Sequence, residues 1–211
     1  MLTRNTRKIL RMRPTDKPGV RIISITGDGG RLPLDPRRNA AGAAAQAVLA
    51  EAGDAQGIEL ELTKGLPFAA GMGGSGASAV AALVATNEAL ALDASPSQLL
   101  AAAMEGERIA CGAAHPDNVA PSLLGGLLLI RPGEPPAITE LPVPEGLSCA
   151  LLHPHSEVAT EAAREVLPAE VPLSTLTAQA GNLAALVAGL FSDDGRLISS
   201  ALVDLVAEPV R

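Results

Sequence analysis

Aromatic side chains are almost missing from this chain: its 211 residues include two Phe, no Tyr and no Trp. A core must therefore be built from Ala, Val, Leu and Ile at short distances between elements, and stacking of a bound base on an aromatic ring is excluded. Cysteine is also scarce. Cys111 and Cys149 have neither metal-ligand spacing nor the pattern of a disulfide framework, and they read as free thiols in a reducing compartment. Cations are in deficit, 16 Lys and Arg against 23 Asp and Glu, so a net charge of −7 leaves no basic footprint for nucleic acid. No stretch approaches the roughly 20 apolar residues of a membrane span. The basic start (Arg4, Arg7, Lys8, Arg11, Arg13) lacks the apolar run of about 7–15 residues that a secretory signal needs. These absences leave a soluble globular protein, expected in the cytoplasm, with neither nucleic acid nor membrane as partner. The length suits one sizeable core, or one domain with part of another.

What the chain has in quantity is glycine and alanine, concentrated in Leu66–Ala82: Pro67, Phe68, Ala69, Ala70, Gly71, Met72, Gly73, Gly74, Ser75, Gly76 and Ala77, then a helix-forming run. Glycines at 71, 73, 74 and 76 remove Cβ atoms where a backbone would wrap closely round a ligand. A glycine loop entering a helix N-terminus gathers unpaired N–H groups and the positive end of the helix dipole at one point, a site suited to an anion such as phosphate. A flexible turn before a buried helix is the plain alternative. The stretch is neither a Walker loop, having no Lys-Ser or Lys-Thr pair, nor the dinucleotide fingerprint.

Around it, Met1–Lys17 shows no clear periodicity and is expected to be poorly ordered. Val20–Thr26 reads as a strand ending in a Gly-Asp-Gly-Gly turn, and Asn39 as the N-cap of a helix Ala40–Ala52 stopped by Gly53. Ile58–Thr63 alternates as a strand with one buried face. A helix is expected over 77–92, and Ser95-Pro96-Ser97-Gln98 opens another that runs to Cys111 and stops at Gly112. Ser122–Arg131 and Leu147–His153 read as strands flanking a proline-rich connection. Helices are expected over Glu157–Leu167, Thr175–Phe191 and Arg196–Ala207. The class is α+β.

A second constellation spans Met104–Gly126. Glu107 falls in the last turns of its helix, where the dipole disfavours an anion unless a cation sits nearby; a bound Mg²⁺ or a basic neighbour on a solvated surface would each serve. His115, Asp117 and Asn118 are read as a short polar loop, either holding a ligand or simply making the turn.

Together these stretches resemble the GHMP kinases. Pro67, Gly71, Met72, Gly73, Ser75 and Ala77 match their second, ATP-phosphate motif, P-x-x-x-G-L-G-S-S-A-A, with Gly74 standing where the first serine usually sits. Glu-Gly-Glu-Arg-x-x-x-Gly followed by His-x-Asp-Asn-Val-Ala-Pro-x-Leu-Leu-Gly-Gly is similar to the homoserine kinase branch. So are the approach Gly27–Asn39 and the later segments Thr160–Arg164 and Ala207–Arg211. The resemblance implies the GHMP kinase fold, with an N-terminal domain of the ribosomal protein S5 domain 2-like type over 1–146 and an incomplete ferredoxin-like C-terminal domain over 147–211. It implies ATP bound along Pro67–Ala77 and Mg²⁺ held by Ser75 and Glu107. L-homoserine would meet His115, Asp117 and Asn118, Asn118 touching its amino group and Arg164 and Arg211 clamping its carboxylate. Ser75, Glu107, Asn118, Arg164 and Arg211 then form the catalytic set. Mevalonate-type relatives use an aspartate as base, near the position of Asp117, whereas homoserine kinases are thought to work without one. A homodimer is left open.

Two of the family's motifs have no counterpart here: the Asn- and Gly-rich first segment and the third, Ser-Gly-Ser-Gly-Pro-like loop. The expectation is of the middle of such an enzyme, truncated at both ends. A kinase for another small alcohol, and a non-catalytic remnant that still binds nucleotide, are its rivals.

Overall fold

A computed structural model of the chain describes residues 9–51, 53, 56–65, 72–112, 114, 116–150 and 165–210. In order these are β1 (Ile9–Thr15), β2 (Gly19–Thr26), a 3-10 turn (Pro36–Arg38), α1 (Ala40–Glu51), β3 (Gly57–Thr63), α2 (Gly74–Leu90), α3 (Pro96–Cys111), α4 (Pro116–Leu124), β4 (Leu127–Arg131), β5 (Ala137–Leu141), α5 (Leu173–Ser192) and α6 (Gly195–Ala201). The chain divides into two compact units, Met1–Gly125 with Ile130–Ala137, and Gly126–Leu129 with Ile138–Arg211.

In the first unit β3 lies between its neighbours, antiparallel to β1 and parallel to β2. The β2–α1–β3 path is the crossover that a parallel pair requires. The alternation of β3 sorts its two faces: Ile58, Leu60 and Leu62 enter the core, while Glu59 is paired with Arg13 on β1 and with Arg21 on β2 at 3.1 Å. Val20, Ile22, Ala41, Ala45, Leu49 and Ala82 complete that core. Helices α1, α2 and α3 pack on one another at alanine distances. They come close at Gly106, where an added Cβ would meet the Ala40 carbonyl at 2.6 Å and Ala79 Cβ at 3.0 Å.

β4 and β5 pair as a two-stranded sheet, and in the second unit Leu141, Leu190 and Ile198 form a small core with Leu129, Leu186 and Val187. Asp194 caps α6 by accepting from the N–H groups of Arg196 and Leu197 at 2.9 and 3.1 Å. By length and composition α5 could cross a membrane, contrary to the expectation that no segment is long and apolar enough. Ser174, Thr175, Thr177, Gln179 and Asn182 interrupt it, and one side of it carries the small core.

Several elements differ from the sequence reading. Residues 9–15 are a strand, because Leu10 and Met12 alternate with Arg11 and Arg13 and their apolar face packs on the core; the arginines on the other face hid that period. The proposed strand from Ser122 starts at Leu127 instead, since Val119 and Ala120 are buried and draw 116–124 into α4. In the proline-rich connection Pro135 and Pro136 precede rather than interrupt a short strand, β5. Residues 147–150 are not a strand, and 151–153 lie outside the described residues. The last helix stops at Ala201, beyond which Asp204 accepts from the N–H groups of Val206 and Ala207 and Gln179 accepts from that of Leu205, each at 2.8 Å. Of the helix expected over Glu157–Leu167, residues 157–164 lie outside the described residues.

Candidate active site

The glycine stretch becomes helix three residues earlier than its composition suggests. Gly73 takes the left-handed conformation, φ +62°, as the cap of α2, and Ala77 N–H donates back to its carbonyl at 2.9 Å. Gly74, Ser75 and Gly76 therefore belong to the first turn of α2 rather than to a loop, at the positive end of the helix dipole.

Asn118 stands against this turn. A Cβ on Gly73 would meet its Oδ1 at 3.0 Å, and a Cβ on Gly76 would meet its Cβ at 3.3 Å. Asp117 and Asn118 are not in a polar loop: they occupy the first turn of α4, with Asp117 exposed. Pro116 at the first helical position starts that turn, and an aspartate there suits the positive end of the helix. The starts of α2 and α4 thus meet at Gly73, Gly76 and Asn118, where two glycines leave room that any other residue would fill.

Glu107 lies near the end of α3 and is 2% exposed, which rules out the solvated-surface alternative. Its chain neighbour Gly106 packs on Ala79, one helical turn beyond Ser75. A hydroxyl and a carboxylate are hard oxygen donors of the kind Mg²⁺ takes. Among the described residues no group of three or more His, Cys, Asp or Glu could hold a metal ion. A two-residue set fits a cation that keeps its waters and binds phosphate oxygens.

Three neighbouring groups escaped the sequence reading. Lys64 closes β3 and its ammonium donates to Ser78 Oγ at 2.6 Å, while Ser78 Oγ donates to the Gly74 carbonyl at 2.9 Å. Asp28, in the turn after β2, accepts from Leu32 N–H at 3.0 Å and Gly30 N–H at 3.2 Å. The Leu32 hydrogen bond is the main reason its carboxyl sits below the usual carboxylate range, with Gly30 and the charge of Lys64 adding to the effect and burial opposing it. The available signals were a lysine directly before the glycine stretch and an aspartate between glycines. Pro67, Phe68, Ala69, Ala70, Gly71, His115, Arg164 and Arg211 lie outside the described residues.

Residues 39–126 match the model of the GHMP kinases N terminal domain. The chain is 50% identical over 198 residues to a homoserine kinase of Chlorobium phaeobacteroides, covering 91% of this chain and 62% of that protein. It is 48% identical over 217 residues to a homoserine kinase of Chlorobium phaeovibrioides, covering 100% of this chain and 66% of the relative. The chain thus spans a little under two thirds of the length of these relatives. Among solved structures, homoserine kinase from Cytophaga hutchinsonii superposes with a TM-score of 0.90 at 45% identity, over 97% of this chain and 65% of that one. An L. major mevalonate kinase shares the fold, with a TM-score of 0.62 at 16% identity, over 92% of this chain and 64% of that one. An α+β fold with a glycine-started helix, at this level of identity across nearly the whole sequence, makes the chain similar to the GHMP kinases and, among them, to homoserine kinases.

Proposed function

We propose that the chain carries out, as part of its enzyme, the transfer of the γ-phosphoryl group of ATP to the hydroxyl of L-homoserine, giving ADP and O-phospho-L-homoserine. The observation that carries this reading is the 50% identity to a homoserine kinase over 91% of the chain. The first turn of α2 supplies backbone N–H groups to the phosphates. Ser75 and Glu107 hold Mg²⁺, which when bound neutralises charge on the phosphate oxygens. Asn118, beside that turn, reaches the homoserine amino group, His115 and Asp117 are assigned to substrate binding with it, and Arg164 and Arg211 grip its carboxylate through planar forks. Such a transfer depends mainly on positioning and charge neutralisation, so no general base is assigned to Asp117. The working compartment is the cytoplasm, and a homodimer is an assembly compatible with this role.

The test is coupled ADP release with L-homoserine beside mevalonate and other small alcohols, with Arg164→Lys as a specificity control. Homoserine should be preferred, and the variant should raise KM for homoserine far more than KM for ATP. A preference for another alcohol would reassign the substrate. MgATP binding with no transfer to any alcohol would identify a nucleotide-binding chain that is not a kinase.

A further inference from the structure

Lys64 is held at three points. Its N–H donates to the Thr26 carbonyl at 2.8 Å, and its own carbonyl lies so close to Gly27 that a Cβ there would collide with it. Its ammonium reaches across to Ser78, a side chain only 3% exposed whose hydroxyl is already committed to the Gly74 carbonyl. The lysine therefore ties the end of the sheet to the first residue of α2. Electrostatics alone would not put it there, because a cation beside the positive end of a helix opposes the dipole. Asp28, 6% exposed and acting on Lys64 through its charge, offsets part of that opposition.

We infer that Lys64 is a positioning residue: through Ser78 it fixes the opening turn of α2, and through Thr26 it anchors that turn to β2, so that the backbone donors around Gly73–Gly76 are ordered before a nucleoside polyphosphate arrives. The inference rests on the nucleotide-binding reading above. A group ordered in advance lowers the entropy lost on binding, so the clamp acts on nucleotide affinity. It differs from a direct lysine–phosphate contact in one respect. If the ammonium acted only on phosphate, removing the Ser78 hydroxyl would leave affinity untouched.

The experiment measures MgADP binding by calorimetry and amide hydrogen exchange without nucleotide, for the wild-type chain, Lys64→Met, Ser78→Ala and the double variant. Each single variant should weaken MgADP about tenfold, the scale of a hydrogen bond to a charged group, and the double variant should be little worse than either single one. The Ala77 amide, bonded to Gly73, should exchange faster in each variant, while the Leu99 amide, bonded to Ser95 at the start of α3, should not. Wild-type affinity and unchanged Ala77 exchange in Ser78→Ala would overturn the clamp. If Lys64→Met does not fold, Ser78→Ala carries the same comparison. A wild-type chain that binds no MgADP while Ser78→Ala still loosens Ala77 would overturn the nucleotide reading and leave the clamp standing.

Discussion

Glu107 is buried near the end of its own helix, a position where a nearby cation favours a carboxylate. If that cation is Mg²⁺ shared with Ser75, Glu107→Gln and Ser75→Ala should each raise the Mg²⁺ concentration needed for half-maximal turnover by about tenfold or more. The double variant should fall well short of the product of the two effects. Independent effects in a magnesium titration would separate the two side chains. Asp28 gives a pH prediction. Its folded pKa is lowered, so it contributes stability above the unfolded carboxylate value, and that contribution is lost as pH falls through the folded value. The stability gap between wild type and Asp28→Asn, read from urea midpoints, should hold constant down to about pH 4 and narrow only below it. A gap that closed on raising the pH would contradict the assignment. The proposed site residues Ser75, Glu107 and Asn118 were singled out because they stand in motifs that resemble those of a known family. Lys64 and Ser78 were not legible, because their roles come from a contact between a strand end and a helix face that no local pattern records.

Between elements, the deciding feature is how closely α3 approaches α1 and α2. Gly106 leaves no room for a methyl group, and the nearest atom, the Ala40 carbonyl, is backbone that cannot rotate away. Gly106→Ala should therefore destabilise the protein by roughly 1–3 kcal/mol, despite alanine's better helix propensity. Gly181, on the exposed side of α5 with nothing within 4 Å of an added Cβ, is the control. Gly181→Ala should stabilise by roughly 0.5–1 kcal/mol. Thermal midpoints moving in the same direction for both would mean that the α1–α3 contact is looser than its geometry. The elements bounded by strong local signals, α1 with Asn39 and Gly53, and α3 with its capping box and the left-handed Gly112, formed where their sequences place them. Those that missed had weak or misleading signals: β1 was masked by arginines on its outer face, α4 by its polar opening, and β5 by the prolines before it. Each of the three is decided by packing partners distant in the chain.

At the scale of the whole chain, the two units have cores of unequal quality. Among the described residues, the largest fully buried side chains, Ile58, Leu60, Leu83, Val48, Val119 and Thr86, all belong to the first unit. The described core of the second unit is Leu141, Leu190 and Ile198 with three half-buried neighbours, while Leu173, Phe191 and Leu202 are 77%, 65% and 66% exposed. Apolar area left in water adds nothing to folding, so the second unit should be the weaker one and should unfold first. Denaturant unfolding followed by amide exchange should then show two steps instead of one. Leu190→Ala should lower the first midpoint, with a cost of roughly 2–5 kcal/mol, and leave the second unchanged; Leu60→Ala should do the reverse. A single transition shifted by either substitution would show that the two cores fold as one cooperative body, with the small core sustained by the large one.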